Sequence, residues 1–174
     1  AQLNALQARI QPHFLFNTLN TGAALVHQHP ALAEQLLLDL SELFRAALSE
    51  SKSNSLEQEL LLARRYLEIE TLRFGSRIRI RWQLPDKIPE IFLPALSIQP
   101  LVENAVIHGI EPYESGGDID INFIESNGLG RVIISNSLPE KTKSVRKGHQ
   151  IGIAGTKERI ENFYENRGSV TTAI

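Results

Sequence analysis

The spacing of apolar residues changes once along the chain, near Gly75, and this change limits the folds open to it. Before that residue, apolar side chains recur every three or four positions, which is the period of an amphipathic α-helix. After it, residues 78–84 alternate between apolar and polar, as in a strand with one buried face. We therefore predict an α+β protein with a helical domain at 1–74 and a mixed domain at 75–174.

The helical part predicts an antiparallel pair of helices. The first ends before Pro30, because proline disfavours the helical conformation of its predecessor. The second covers about 31–74, with a kink near 51–54, and Ser55 with Gln58 has the spacing of a capping box that would restart it. Both helices carry more apolar surface than two helices can bury between them, so we expect a homodimer in which two hairpins form a four-helix bundle. The apolar rows of the first helix contain Leu3, Leu6, Ile10, His13, Asn17 and Asn20, and Phe16, Leu19, Ala23 and Val26.

The part after Gly75 predicts helices on one face of a mixed or antiparallel sheet. Asn127 and Gly128 lie between two alternating segments and are a strong signal for a two-residue hairpin turn. Pro94 is expected to open a helix that contains residues 99–109. Strands are predicted at 78–84, 119–123, 129–135 and 169–174, and a last helix is predicted near 155–166.

Composition argues against several classes of protein. The net charge of −2 gives no sign of a partner that is a nucleic acid or an anionic membrane surface. Arg77, Arg79 and Arg81 could form a nucleic-acid patch, but their alternation with apolar positions favours a solvated sheet face. The chain has no cysteine, which excludes disulfides and thiolate metal sites. Helical phase is already present at Leu3 without a cap before it, so we expect a fragment of a longer protein.

His13 lies within an apolar helical row, directly after Pro12. Taken alone, such a histidine is normally a core or interface residue with a hydrogen-bonded ring. Two features favour a chemical role instead, since Asn17 and Asn20 make the row polar and the proline can bend the helix. A histidine that accepts phosphate needs a neutral ring with one nitrogen lone pair free to attack. Gln11 or Asn17 could hold this ring in orientation.

A second polar group lies within residues 99–109. Asn104 and His108 are four positions apart and share one face of the predicted helix, as do Glu103 and Ile107. The simpler interpretation is an amphipathic helix whose polar face meets water. The alternative is a magnesium–phosphate site, because an asparagine amide is a neutral oxygen ligand that does not repel a triphosphate. In that site Glu103 could polarise a water or a metal-bound ligand.

Together these segments resemble the LytS-like sensor histidine kinases. Residues 11–17 (Gln-Pro-His-Phe-Leu-Phe-Asn) resemble the family's H-box, and 101–109 (Leu-Val-Glu-Asn-Ala-Val-Ile-His-Gly) its N-box. Residues 68–74 (Glu-Ile-Glu-Thr-Leu-Arg-Phe) resemble the link between the family's two domains. The resemblance covers almost the whole chain and implies a Bergerat-type ATP-binding fold. It also implies that His13 is the phosphoacceptor, that Asn104 contacts Mg²⁺, and that His108 is the basic neighbour of the phosphates.

The ATP lid departs from the family pattern. Where relatives have Asp-x-Gly-x-Gly, this chain has Asn-Ser-Leu-Pro-Glu at 136–140, so Asn136 would face adenine without a charge. Of the glycines in the next family element, Gly148 and Gly152 remain, ahead of a helix whose N-terminus could receive phosphate. Lys157 adds positive charge nearby. This lid is similar to that of the AlgZ/FimS-like branch.

The resemblance implies a two-component transmitter region that phosphorylates His13 from ATP–Mg²⁺. The phosphoryl group would pass to an aspartate of a response regulator, with a LytTR-type regulator as the expected partner and no direct DNA binding. It further implies a membrane sensor ahead of this region, which would make the chain the cytoplasmic portion of a bacterial inner-membrane protein. The rival function is a dimeric scaffold or phosphatase for the regulator that does not use ATP. A third is an ATPase or chaperone of the same nucleotide-binding superfamily, whose hydrolysis would survive His13→Ala.

Overall fold

The computed structural model describes residues 11–138, 151–164 and 168–171, with the backbone alone for 151–155. Within these residues the chain has five α-helices and two sheets, which confirms the predicted α+β class. The elements in chain order are α1 Pro12–Leu25, α2 Pro30–Leu48, β1 Ser53–Ser55, α3 Leu56–Phe74, β2 Ile78–Gln83, β3 Phe92–Pro94, α4 Gln99–Gly109, β4 Gly117–Ser126, β5 Leu129–Asn136 and α5 Ile151–Phe163.

The second predicted helix is two helices. The chain leaves α2 at Ser49, whose ψ of 140° is extended, and forms the short strand β1 before α3 begins. The predicted capping box then starts α3. The Ser55 hydroxyl accepts a hydrogen bond from the Gln58 amide at 3.2 Å, while the Ser55 amide donates to the Gln58 side chain at 2.9 Å. The expected kink is therefore a complete break, and three helices pack together where two were predicted.

The larger sheet has the order β2-β4-β5. Strand β2 is parallel to β4, and β4 is antiparallel to β5, so the sheet is mixed. The hairpin turn between β4 and β5 contains the two residues Asn127 and Gly128, with φ of 54° and 74°. Positive φ at both positions is what a type I′ turn requires, and the twist of that turn matches the strands it joins. The hairpin predicted from this dipeptide is confirmed.

The arginines of β2 form ion pairs across the parallel strands. Arg79 pairs with Asp118 at 3.0 Å and Arg81 with Asp120 at 2.5 Å, and both arginines are exposed. Each guanidinium makes two bonds to its carboxylate, and these bonds lower the pKa of both aspartates. The row therefore forms a solvated sheet face with its charges matched, as expected from the alternation.

The start of α4 differs from the prediction. Pro94 is the last residue of β3, where it pairs with Ser53 in the small antiparallel sheet, and the helix begins five residues later at Gln99. Pro100 takes the early helical position that favours proline. At the other end of the chain, α5 begins at Ile151 rather than near 155. Residues 168–171 form no strand, and 172–174, the rest of the last predicted strand, lie outside the described residues.

Buried apolar side chains form one continuous cluster that extends from the helices to the sheet. It includes Phe14 of α1, Leu36 and Leu43 of α2, Val102 of α4 and Ile121 of β4. Helix α3 is central to it, because it contacts α1, α2, α4 and β2. Side chains of α3 thus reach both the helix that carries His13 and the helix that carries Asn104. The division into domains at residue 74 stays a prediction.

Candidate functional site

His13 lies in the first turn of α1 with its side chain exposed. Its neighbour Phe14 points the other way and is buried against Tyr66 of α3, with ring centroids 5.0 Å apart. Successive residues of a helix are about 100° apart, so anchoring Phe14 in the core directs His13 toward solvent. The ring is therefore reachable by a reactant from outside the helical part.

Asn17, one turn after His13, is the residue that holds the ring. Its amide nitrogen lies 3.1 Å from Nε2 and 3.4 Å from Nδ1 of the imidazole. An amide that donates to one ring nitrogen leaves the proton on the other, and its oxygen could serve the opposite tautomer. No acidic side chain contacts this ring within the described residues. Orientation of His13 thus depends on a neutral partner rather than a carboxylate.

Asn104 and His108 lie on the same face of α4, and both are partly buried. The amide of Asn104 makes no side-chain hydrogen bond to the described part of the chain, so its oxygen is available to a ligand. Neutral amide oxygen is a ligand that Mg²⁺ accepts beside phosphate. No group of three or more His, Cys, Asp or Glu that could hold a metal occurs among the described residues.

Glu103 is directed away from that face. It accepts a hydrogen bond from the Gln99 side chain at 3.0 Å, and burial raises its pKa to about 7. Its charge also raises the pKa values of Tyr66 and Glu70, which both belong to α3. The structure thus places Glu103 at the contact between α3 and α4, whereas the adjacent Asn104 faces elsewhere.

Asn136 lies at the end of β5, directly against the end of α4. A Cβ added to Gly109 would be 2.7 Å from the Cβ of Asn136, so this approach requires glycine at position 109. The Asn136 amide donates to the Ser137 carbonyl at 3.2 Å. The structure therefore places Asn136 against Gly109, one residue after His108 at the end of α4, whereas Asn104 lies more than a turn earlier on that helix.

The remaining predicted nucleotide residues belong to the lid region. Gly148 and the basic loop around it fall in 139–150, outside the described residues. Gly152 lies inside α5 rather than ahead of it. Lys157 is exposed on α5, 3.9 Å from Glu161, and α5 packs on α4. A concavity of about 420 Å³ lies elsewhere, between the ends of β2 and β4 and the loop with Lys87 and Pro89.

Two buried acids of α3 were not among the predicted site residues. Glu59 accepts hydrogen bonds from the residues that precede α4, and Glu70 forms an ion pair with Arg73 at 2.6 Å. A signal was present in the sequence. Glu59 and Glu70 are in helical phase with Ala63 and Tyr66, and an acid on a buried row needs a partner from elsewhere in the fold.

The described helices contain no segment that is both long and apolar enough to cross a bilayer. Comparison with known families matches residues 1–78 to the model described as histidine kinase. The chain is also similar to the sensor histidine kinase/phosphatase LytS of Staphylococcus aureus strains Mu50, N315 and MW2. In each case 172 residues align with 36% identity, covering 94% of this chain and 29% of the relative. The chain thus spans less than a third of the length of the curated relatives it matches.

Proposed function

We infer that the chain belongs to the LytS-like group of histidine kinases, and we propose that it is their transmitter region. It transfers the γ-phosphoryl group of ATP to His13 and then to an aspartate of a response regulator. The match of residues 1–78 to histidine kinases and the alignment of nearly the whole chain with kinase/phosphatase relatives support this proposal.

The observation that carries the proposal is the environment of His13. The ring is exposed, Asn17 hydrogen-bonds to it, and Phe14 fixes the helix turn on the other side. A neutral imidazole held in this way keeps a nitrogen lone pair for in-line attack on phosphorus. Since no carboxylate contacts the ring within the described residues, catalysis would come from positioning and charge neutralisation rather than from a strong base.

ATP–Mg²⁺ supplies the phosphoryl group when bound, and the residues on α4 and β5 fit this ligand. Asn104 would contact Mg²⁺ through its amide oxygen, and His108 on the same face would contact the phosphates. Asn136 would accept the adenine amino proton through its amide oxygen. Gly148, Gly152 and Lys157 of the lid region complete the proposed cofactor-binding set. Glu103, which the sequence added to this set, is directed toward α3 instead.

The proposed partners are inferred from apolar and reactive surfaces that are exposed in the described residues. Phe16 and Leu19 of α1, and Val26 directly after that helix, are 65%, 45% and 50% exposed and form one apolar row. We propose that this row closes a four-helix bundle in a homodimer, because exposed apolar rows of this kind mark contact surfaces. The response regulator, with a LytTR-type output domain, would dock where His13 is accessible. Nucleic acid is not a proposed partner, since Arg79 and Arg81 are already paired.

A second candidate function is a scaffold or phosphatase that acts on the regulator without ATP. The observation that favours it is Asn136, a neutral residue where related kinases have an aspartate. The names of the similar LytS proteins include both activities, kinase and phosphatase.

Radiolabelled ATP tests the transfer itself. We expect wild-type protein to acquire an acid-labile, alkali-stable label and His13→Gln to acquire none. His27→Gln is the matched control, because His27 is also an exposed histidine and lies in the turn that follows α1. A label that persists in His13→Gln would contradict the proposal.

Calorimetry separates the kinase from the scaffold. Micromolar binding of ATP–Mg²⁺ that is lost in Asn104→Ala supports the kinase. Millimolar or absent binding by wild-type protein supports the scaffold. This measurement accompanies the labelling experiment because a transmitter without its sensor could bind ATP and still transfer slowly.

A further inference from the structure

The turn that leads into α4 is built around a buried carboxylate from α3. Glu59 is fully buried, and its two oxygens accept three backbone N–H groups: Leu96 at 2.8 Å, Ser97 at 2.7 Å and Ile98 at 3.0 Å. The Asn54 side chain donates a fourth bond at 2.8 Å. Four donors therefore converge on the Glu59 side chain. They come from Asn54 of β1 and from residues 96–98, which lead into α4, the helix that contains the N-box residues 101–109.

This carboxylate lies beside the N-terminus of α4, where it accepts the N–H of the N-cap residue Ile98 and those of the two residues before it. The first N–H groups of a helix lack intrahelical partners and carry positive partial charge. The N-cap residue Ile98 has an apolar side chain that cannot accept them. Glu59, 39 residues earlier in the chain, provides a full negative charge there, and bonds to a charged acceptor are stronger than neutral ones. Leu96 even adopts a left-handed φ of 58°, which is uncommon for a leucine.

The same turn is held on its carbonyl side by α5. Arg159 donates to the carbonyl of Ala95 at 3.2 Å and to that of Leu96 at 2.9 Å, and also to the Thr156 hydroxyl. Leu96 thus has its N–H bonded to Glu59 of α3 and its C=O bonded to Arg159 of α5. In the sequence, α5 follows the predicted lid segment. The turn before α4 is therefore bonded to both α3 and α5.

We propose that Glu59 and Arg159 are positioning residues that set the orientation of the N-box helix, and so of Asn104 and His108. The inference rests on the proposed function only for its catalytic consequence. Asn104 is six residues beyond Ile98, or about 9 Å along the axis. A tilt of about 10° at the turn would move Asn104 by about 1.5 Å, and displacements of about 1 Å can cost about a hundredfold in rate.

Glu59→Gln is the direct test of the carboxylate. Glutamine keeps the size of the side chain, but it has one oxygen for three N–H donors and brings an NH₂ group against them. Arg159→Ala is the second variant and acts on the exposed side of the turn, so it keeps the proposal testable if Glu59→Gln does not fold. Glu57→Gln, an exposed acid in the same turn of α3, is the matched control.

The first measurement is made on nucleotide-free protein by NMR. We expect both variants to shift the side-chain amide signals of Asn104 and to speed hydrogen exchange of the Leu96–Ile98 amides at least tenfold. The control should leave both unchanged. Variants that fold and lose stability while the Asn104 signals and this exchange stay at wild-type values would overturn the proposal.

The second measurement is the dissociation constant for ATP–Mg²⁺. If wild-type protein binds, both variants should bind about tenfold more weakly at temperatures where they are fully folded. Equal affinity in variants and wild type would overturn the positioning role. If wild-type protein does not bind ATP but the NMR changes occur, the turn still controls α4 and the kinase proposal is the one that fails.

Discussion

Glu70 of α3 is a buried acid whose charge depends on its surroundings. Its carboxylate is fully buried, with a guanidinium nitrogen of Arg73 2.6 Å away, and that nitrogen also lies 2.6 Å from Glu111. Burial raises the pKa of Glu70 to about 7; Arg73 opposes the rise, and Glu111 and Glu103 add to it. One cation is thus shared between two acids, and a third acid lies nearby.

The raised pKa determines how stability depends on pH. The ordinary pKa is 4.5, so between that pH and about 7 the folded protein keeps a proton that the unfolded chain has released. Stability from this group is fully present below pH 4.5 and is lost as the pH rises to about 7. The rise in pKa corresponds to about 3 kcal/mol, because each tenfold change in the protonation equilibrium is about 1.4 kcal/mol.

Glu70→Gln removes the charge and keeps the size of the side chain. Arg73 retains Glu111 as its partner, so the substitution does not leave an unpaired buried cation. We expect the variant and the wild type to have similar unfolding free energies near pH 4.5, where Glu70 is protonated. As the pH rises to about 8, the difference between them should change by about 3 kcal/mol in favour of the variant.

Urea unfolding at a series of pH values measures this difference, provided the m-values agree. Glu50→Gln, which alters an exposed loop carboxylate, is the control and should follow the wild-type curve. A difference between Glu70→Gln and wild type that is constant with pH would refute the reasoning. It would mean that Arg73 keeps Glu70 ionised throughout.

Further substitutions test the site and the proposed dimer. Gly109→Ala should lower the free energy of unfolding by about 1–3 kcal/mol, because its Cβ would meet Asn136, and Asn136→Gly should restore part of that loss in thermal unfolding. Phe16→Asp should convert the dimer to a monomer in analytical ultracentrifugation, whereas Leu129→Asp, at an exposed apolar residue of the hairpin, should not. Asn17→Ala should slow histidine labelling about tenfold and leave ATP affinity unchanged, because it removes the partner that orients the ring; equal labelling would assign that role elsewhere.

Features with local causes were predictable from the sequence. The capping box needs only Ser55 and Gln58 at the right spacing, and the hairpin turn needs only Asn127 and Gly128 between alternating segments. The α+β class followed from the change in period near Gly75. Each of these signals involves residues that are neighbours in the chain, so no knowledge of the tertiary structure is required.

Features with distant causes were not predictable in the same way. Pro94 has the chemistry of a first helical residue, but it pairs with Ser53 in a sheet whose strands are about 40 residues apart. The same pairing converts the expected kink after α2 into a complete break. For the candidate site, the sequence indicated Asn104 and Asn136 separately. The packing of the two elements that carry them depends on Gly109, whose missing side chain lets the end of β5 approach the end of α4.

Helix α3 makes two contacts with α4 that differ in their electrostatics. At one end, Glu59 accepts four hydrogen bonds, one from the Asn54 side chain and three from the backbone N–H groups of residues 96–98 that lead into α4. About three turns later on α3, burial raises the pKa of Glu70, and on α4 that of Glu103, to about 7, and the charge of Glu103 adds to the rise for Glu70. The first contact fixes the residue at which α4 begins. At the second contact, the charges of Glu70 and Glu103 change near neutral pH. Because Asn104 directly follows Glu103 and lies six residues after Ile98, a displacement of α3 would reach the proposed magnesium ligand through both contacts.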